Sequence, residues 1–119
     1  MKKVLIIDDE EDIRTIISEF CKIFGIDTII AENGKEGIEK YKQEKSDLIF
    51  TDIKMPDMDG FQLVKKIREL DRNVPIVVCS GFIDEINKKK ILDCGANSYI
   101  EKPFKLQDFK DILQQYSII

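Results

Sequence analysis

Leu48-Ile49-Phe50-Thr51-Asp52-Ile53-Lys54-Met55-Pro56-Asp57-Met58-Asp59-Gly60 is the stretch on which the reading of the chain turns. A short apolar run delivers Asp52 to its end, and Pro56 and Gly60 then break regular structure. Apolar runs of this length between turn residues suit a strand buried on both faces, the habit of parallel sheets. A carboxylate at the end of such a strand either caps a turn or does chemistry. Both readings stay open until the other strand ends are placed.

Upstream, Val4-Leu5-Ile6-Ile7 is a second run of this kind, and it leads straight into Asp8-Asp9-Glu10-Glu11-Asp12. Ile13, Ile16, Ile17, Phe20, Ile23 and Phe24 follow at helical spacing, closed by Gly25. Acidic residues at that helix start complement its dipole. Residues 27–31 read as a strand, Asn33-Gly34 as a turn, and Gly37-Ile38-Glu39-Lys40-Tyr41 as part of a short helix ending near Glu44. Downstream of Gly60, the spacing of Phe61, Val64, Ile67 and Leu70 predicts a helix. Asn73-Val74-Pro75 turns into a strand at 76–79 that ends at Ser80-Gly81. A weaker helix covers 84–93, closed by Gly95. Residues 98–100 form a fifth strand ending at Glu101-Lys102-Pro103, and Leu106, Phe109, Ile112, Leu113 and Tyr116 make a last helical face. Strand and helix thus alternate five times. That order predicts an α/β fold, a five-stranded parallel sheet with helices on both faces.

At 119 residues the chain is sized for one domain with a real core. The net charge of −4 and the lack of a basic face argue against direct nucleic-acid binding. The basic cluster Lys88-Lys89-Lys90 reads as the solvated face of a helix. Cys21, Cys79 and Cys94 are odd in number and lack metal-site spacing, so they read as buried thiols in a reducing compartment. Met1-Lys2-Lys3 precedes too short an apolar run for a signal peptide, and no stretch could span a bilayer. A cytoplasmic protein without membrane insertion is therefore expected. With no histidine in the chain, a histidine base, a histidine metal site and a Ser-His triad are excluded.

In a parallel sheet the carboxyl ends of all strands share one edge, where open α/β folds bind ligands. Asp8 and Asp9, Asp52, Ser80 and Lys102 all follow strand ends. Each has a plain structural reading: Asp8 or Asp9 as a helix cap, Asp52 as a turn cap, Ser80 as cap of the fourth helix, Lys102 as a solvated charge. Together those readings weaken, because clustered carboxylates repel. At ~4 Å and an effective dielectric near 20, each like pair costs on the order of 4 kcal/mol. A bound cation relieves that cost, and oxygen-only ligation with room for water suits Mg²⁺, with Mn²⁺ as an alternative. A carboxylate beside such a cation can attack a phosphoryl group, while an ammonium and a hydroxyl contact the transferring oxygens.

These residues, with Met55-Pro56, Met58-Asp59-Gly60, Gly81, Gly95-Ala96 and Pro103-Phe104, resemble the response-regulator receiver domains of two-component signalling over essentially the whole chain, 1–119. The resemblance implies a flavodoxin-like (βα)5 fold with strand order 2-1-3-4-5. It implies that Asp52 accepts a phosphoryl group from a phosphohistidine on a sensor histidine kinase or a histidine phosphotransfer protein. It implies Mg²⁺ held by the side chains of Asp9 and Asp52 and the backbone carbonyl of Lys54, with Asp8 acting through water. Lys102 would pair with the phosphoryl group and Ser80 would move to hydrogen-bond it. Tyr99 would be the aromatic that follows Ser80 inward, against the plain reading of an edge-strand aromatic. Lys54 and Phe82 would tune the lifetime of the phosphoryl group, and the Lys102-Pro103 bond would be cis. Asp57 and Asp59 are rival acceptors by composition, but they sit in the loop.

The expected function is a phosphoacceptor switch or relay that catalyses its own phosphotransfer and autodephosphorylation without being an enzyme in the usual sense. Output would pass by protein-protein contact to a downstream target, since the chain ends shortly after the last helix. A receiver fragment of a longer regulator is one alternative. A metal-dependent phosphatase or transferase using an aspartyl phosphate on small molecules is another, and a non-phosphorylated interaction module is a third.

Overall fold

The apolar runs become strands because their branched side chains pack on both faces of a sheet. In the computed structural model, which describes residues 1–81 and 83–119, they are β1 (Lys3–Ile7), β2 (Asp27–Ala31), β3 (Leu48–Asp52), β4 (Ile76–Ser80) and β5 (Ser98–Glu101). Between and after them come α1 (Glu11–Ile23), α2 (Gly34–Gln43), α3 (Gly60–Leu70), α4 (Glu85–Asp93) and α5 (Leu106–Gln115). The strands are all parallel, in the order β2-β1-β3-β4-β5.

Alternation along the strands divides the core. Val4, Ile6, Leu48, Phe50, Val77 and Cys79 pack with Ile17 and Cys21 of α1 and Phe109 and Leu113 of α5. Leu5, Ile7, Ile49, Ile76 and Val78 point the other way, onto Tyr41 of α2, Leu63, Val64 and Ile67 of α3, and Ile91 of α4. Both faces are therefore covered, as the continuous apolar runs require.

The apolar stripe of α1 is narrower than its sequence predicts. Ile16 and Ile23 are 43% and 62% exposed, while Cys21 is fully buried. Ile16 and Ile23, seven residues apart, lie together at one edge of the stripe, and Cys21 lies with Ile17 on the side that faces the sheet. Asn33-Gly34 is not a free turn. Asn33 is the N-cap of α2, its side chain accepting the Glu36 N–H at 2.8 Å, and Gly34 is the first helical residue. An Asn-Gly pair serves turns and caps alike, so the sequence alone could not separate the two. The Lys102-Pro103 peptide is cis. No helix among the described residues is long and apolar enough to cross a membrane.

Candidate functional site at the carboxyl edge of the sheet

Strand register brings the polar residues together. Ile7 pairs with Thr51, so Asp8 and Asp52 leave the sheet side by side. Asp52 pairs with Cys79 and Ser80 with Glu101, which sets Ser80 beyond Asp52 and Lys102 at the same edge. The Lys102 N–H donates to the Ser80 carbonyl at 2.7 Å, tying the two strand ends.

Lys102 Nζ lies 2.9 Å from Asp8 Oδ2, 3.3 Å from Asp52 Oδ2 and 3.7 Å from Glu10 Oε1. The second oxygen of each buried aspartate accepts a backbone N–H: Glu10 donates to Asp8 Oδ1 at 2.9 Å, and Ile53 to Asp52 Oδ1 at 2.7 Å. Asp8 is held on the main chain too. Its N–H donates to the Ala31 carbonyl at 3.1 Å, and its own carbonyl accepts from Arg14 Nη1 at 2.8 Å. Carboxylate oxygens of Asp8, Asp9, Glu10 and Asp52 lie within 4.8 Å of one another. Asp9, Glu10 and Asp52 border an open pocket of about 450 Å³, lined also by Lys54, Ser80 and Asn87, among others.

The electrostatics follow from burial. Loss of hydration raises the Asp52 carboxyl above its ordinary value; the Asp8 charge adds to this and the Lys102 ammonium opposes it. For Lys102, burial works downward, but the hydrogen bond to Asp8 and the charges of Asp52 and Asp8 outweigh it and raise the ammonium. One ammonium therefore faces three carboxylates, with Asp9 a fourth carboxylate nearby. An all-oxygen donor set with excess negative charge and an open side fits a hard divalent cation.

Several plain readings fall away. The N-cap of α1 is Glu10, without a side-chain cap bond, so neither Asp8 nor Asp9 fills that role. Asp84, not Ser80, caps α4 by accepting the Asn87 N–H at 2.7 Å. The Lys102 side chain is only 12% exposed, which removes the solvated-charge reading. Asp59 is spent on a capping box with Gln62 at the start of α3, and Asp57 accepts the N–H groups of Gly34 and Lys35. Neither lines the pocket. Lys54 is exposed at the pocket rim. Tyr99 is half-buried against the α3–α4 side of the core, with Lys88 Nζ 5.9 Å from its ring centroid. Lys90 likewise stands 4.9 Å over the Phe61 ring, so two of the three clustered lysines have aromatic partners rather than water alone. Phe82 lies outside the described residues. Glu10, Arg14 and Asn87 escaped the sequence reading. Glu10 stood undistinguished within the acidic run 8–12, and Arg14 and Asn87 reach the site only through the packing of α1 and α4.

A (βα)5 sheet with an acidic pocket at its carboxyl edge is the architecture of a phosphoacceptor signalling module. The sequence profile of the response regulator receiver domain matches residues 4–114, and the chain belongs to that family of two-component signalling domains. It is 34% identical to the chemotaxis protein CheY of Thermotoga maritima over 117 residues, covering 98% of each chain. It is 31% identical to sporulation initiation phosphotransferase F of Bacillus subtilis, covering 97% of this chain and 93% of that one. Against the alkaline phosphatase synthesis transcriptional regulatory protein PhoP of Bacillus subtilis the identity is 37%, but the chain spans only 43% of that relative. The crystal structure of a two-component response regulator from Clostridium difficile superposes with a TM-score of 0.94 at 31% identity, covering 99% of this chain and 97% of that one.

Proposed function

We propose that Asp52 is the phosphoacceptor and that Asp9, Asp52 and the Lys54 carbonyl hold Mg²⁺ at the pocket, with Asp8 contributing through water. The observation that carries this reading is the position of Asp52: at the end of β3, inside the carboxylate cluster, one oxygen 3.3 Å from Lys102 Nζ. A phosphohistidine on a sensor kinase or phosphotransfer protein is the donor. An Asp52 oxygen attacks phosphorus, the O–P bond forms as the P–N bond breaks, and the imidazole leaves and takes a proton. The bound cation supplies charge neutralisation on the phosphoryl oxygens. Lys102 stays beside Asp52 to hold a phosphoryl oxygen, and Ser80, across the pocket, gives it a hydrogen bond. Water later attacks the same phosphorus and frees Asp52, so the chain turns over its own modification and is otherwise no enzyme.

Phosphorylation adds nearly two negative charges at a site already crowded with carboxylates. Ser80, Tyr99 and the α4 side respond, and a downstream protein reads that change. The receiver unit is the 1–119 fold, and its free thiols suit the cytoplasm.

The test is intact mass after incubation with acetyl phosphate and Mg²⁺. Wild type gains one phosphoryl group, and Asp52→Ala gains none. A gain that persists in Asp52→Ala removes Asp52 from the role.

A further inference from the structure

The loop that carries Lys54 is fastened at both ends and at its tip. Its ends close through the Gly60 N–H, which donates to the Ile53 carbonyl at 2.6 Å. Its tip reaches α2, where Asp57 Oδ1 accepts the Gly34 N–H at 3.0 Å and Oδ2 accepts the Lys35 N–H at 2.8 Å. Those amides belong to the first turn of a helix, where no intrahelical carbonyl reaches them and negative charge is favoured. The helix's own cap, Asn33, accepts the Glu36 N–H with its side chain and the Gly37 N–H with its carbonyl. Asp57 therefore supplies, from another part of the chain, the acceptors that α2 lacks. Burial alone would raise the Asp57 carboxyl, but backbone hydrogen bonds, those of Lys35 and Gly34 first and those of Asp57 and Met58 after them, together outweigh it and lower it. Met58 sits against the same turn with no slack, since a Cβ at Gly34 would lie 2.4 Å from Met58 Cγ.

We infer that Asp57 is a positioning residue: by clamping the β3–α3 loop onto the first turn of α2, it holds Lys54 at the pocket rim and couples cation binding to the order of that turn. This rests on the reading of Asp9, Asp52 and the Lys54 carbonyl as the cation site. Between Ile53 and Gly60 the chain is largely exposed. A loop left free would have to be ordered by the ligand, which weakens binding; a loop ordered beforehand does not. Coupling of this kind is reciprocal, so what Asp57 does for the cation, the cation does for the α2 amides.

The experiment is calorimetric titration of the full chain with Mg²⁺, well below its melting temperature, for wild type, Asp9→Asn, Asp57→Ala, Asp57→Asn and Gly34→Ala. Amide exchange at Gly34 and Lys35 is followed with and without Mg²⁺. Asp57→Ala and Gly34→Ala, which release the clamp from opposite sides, are expected to weaken binding roughly fivefold or more. Asp57→Asn, which keeps one acceptor oxygen, is expected to fall between Asp57→Ala and wild type. In wild type the Gly34 and Lys35 amides are expected to exchange more slowly with Mg²⁺. A purely structural role would lower the melting temperature of Asp57→Ala and leave the Mg²⁺ affinity and the exchange rates unchanged, and that result overturns the coupling. Loss of binding in Asp9→Asn alone overturns the coupling and leaves the cation site standing. Wild-type affinity in Asp9→Asn overturns the cation site and the coupling with it.

Discussion

At Lys102, one ammonium answers carboxylates at 2.9, 3.3 and 3.7 Å, and the side chain is only 12% exposed. Asp8, its nearest partner, is 2% exposed. Removing one member of a buried pair strands the other, at a cost of about 3 kcal/mol or more. Lys102→Met is therefore expected to lower stability by about 3 kcal/mol at neutral pH in urea denaturation. A loss under 1 kcal/mol would show that water, not Lys102, solvates Asp8. The pH dependence has a definite sign. The Lys102 pKa is raised in the fold, so its contribution is complete below the ordinary lysine value of 10.5 and disappears as pH climbs through the raised value. On the alkaline side, wild type and Lys102→Met should thus converge at strongly alkaline pH. Asp52 and Lys102 were legible in the sequence because strand ends in a parallel sheet share an edge. Glu10 was not, since five consecutive positions of one charge type give no hint which carboxylate turns toward the ammonium.

At the scale of elements, the start of α3 shows how closely the site is built into the backbone. Asp59 caps the helix, with its side chain accepting the Gln62 N–H at 2.8 Å. Gly60 follows it, where a Cβ would meet the Asp52 carbonyl oxygen at 2.4 Å and the Ile53 Cα at 2.8 Å. Both obstacles are main chain, which cannot swing aside as a side chain would. Asp59→Ala is expected to cost about 1 kcal/mol, the usual loss for a cap. Gly60→Ala is expected to cost about 2 kcal/mol or more, because overpacking against backbone must move the end of β3. If equilibrium unfolding gives Gly60→Ala no larger a loss than Asp59→Ala, close approach is not what requires the glycine. The strands and the order of elements were readable, since runs apolar on both sides fit little else. The edges of helices were less so. Asn33-Gly34 serves a turn or a cap with the same chemistry, and Ile16 and Ile23 share the helical period of α1 without facing the sheet. Asp57 looked like a rival acceptor because composition does not reveal that α2, more than twenty residues earlier in the chain, needs its oxygens.

Over the whole molecule, the crowded rim is a feature of the fold that works against its stability until something positive arrives. Asp52 pairs with Lys102, yet burial and Asp8 together still raise its carboxyl above the ordinary 3.8. An acid raised in the fold binds protons that the unfolded chain has released, so stability falls as pH rises from 3.8 through the raised value, and the penalty is complete above it. Asparagine has the shape of that carboxyl without the charge. In EDTA at neutral pH, Asp52→Asn is therefore expected to exceed wild type in stability, and the difference should vanish as pH approaches 3.8. A cation that binds the folded chain reverses the order. At one hundred times its dissociation constant it contributes about 2.7 kcal/mol to the state that binds it. Mg²⁺ should thus raise the melting temperature of wild type well above its value in EDTA and move Asp52→Asn much less, since that variant lacks one of the donors. Thermal denaturation of both chains, with Mg²⁺ and with EDTA, measures the four values together. Wild type more stable than Asp52→Asn in EDTA would mean that Lys102 already balances the rim, and that the cluster needs no cation to persist.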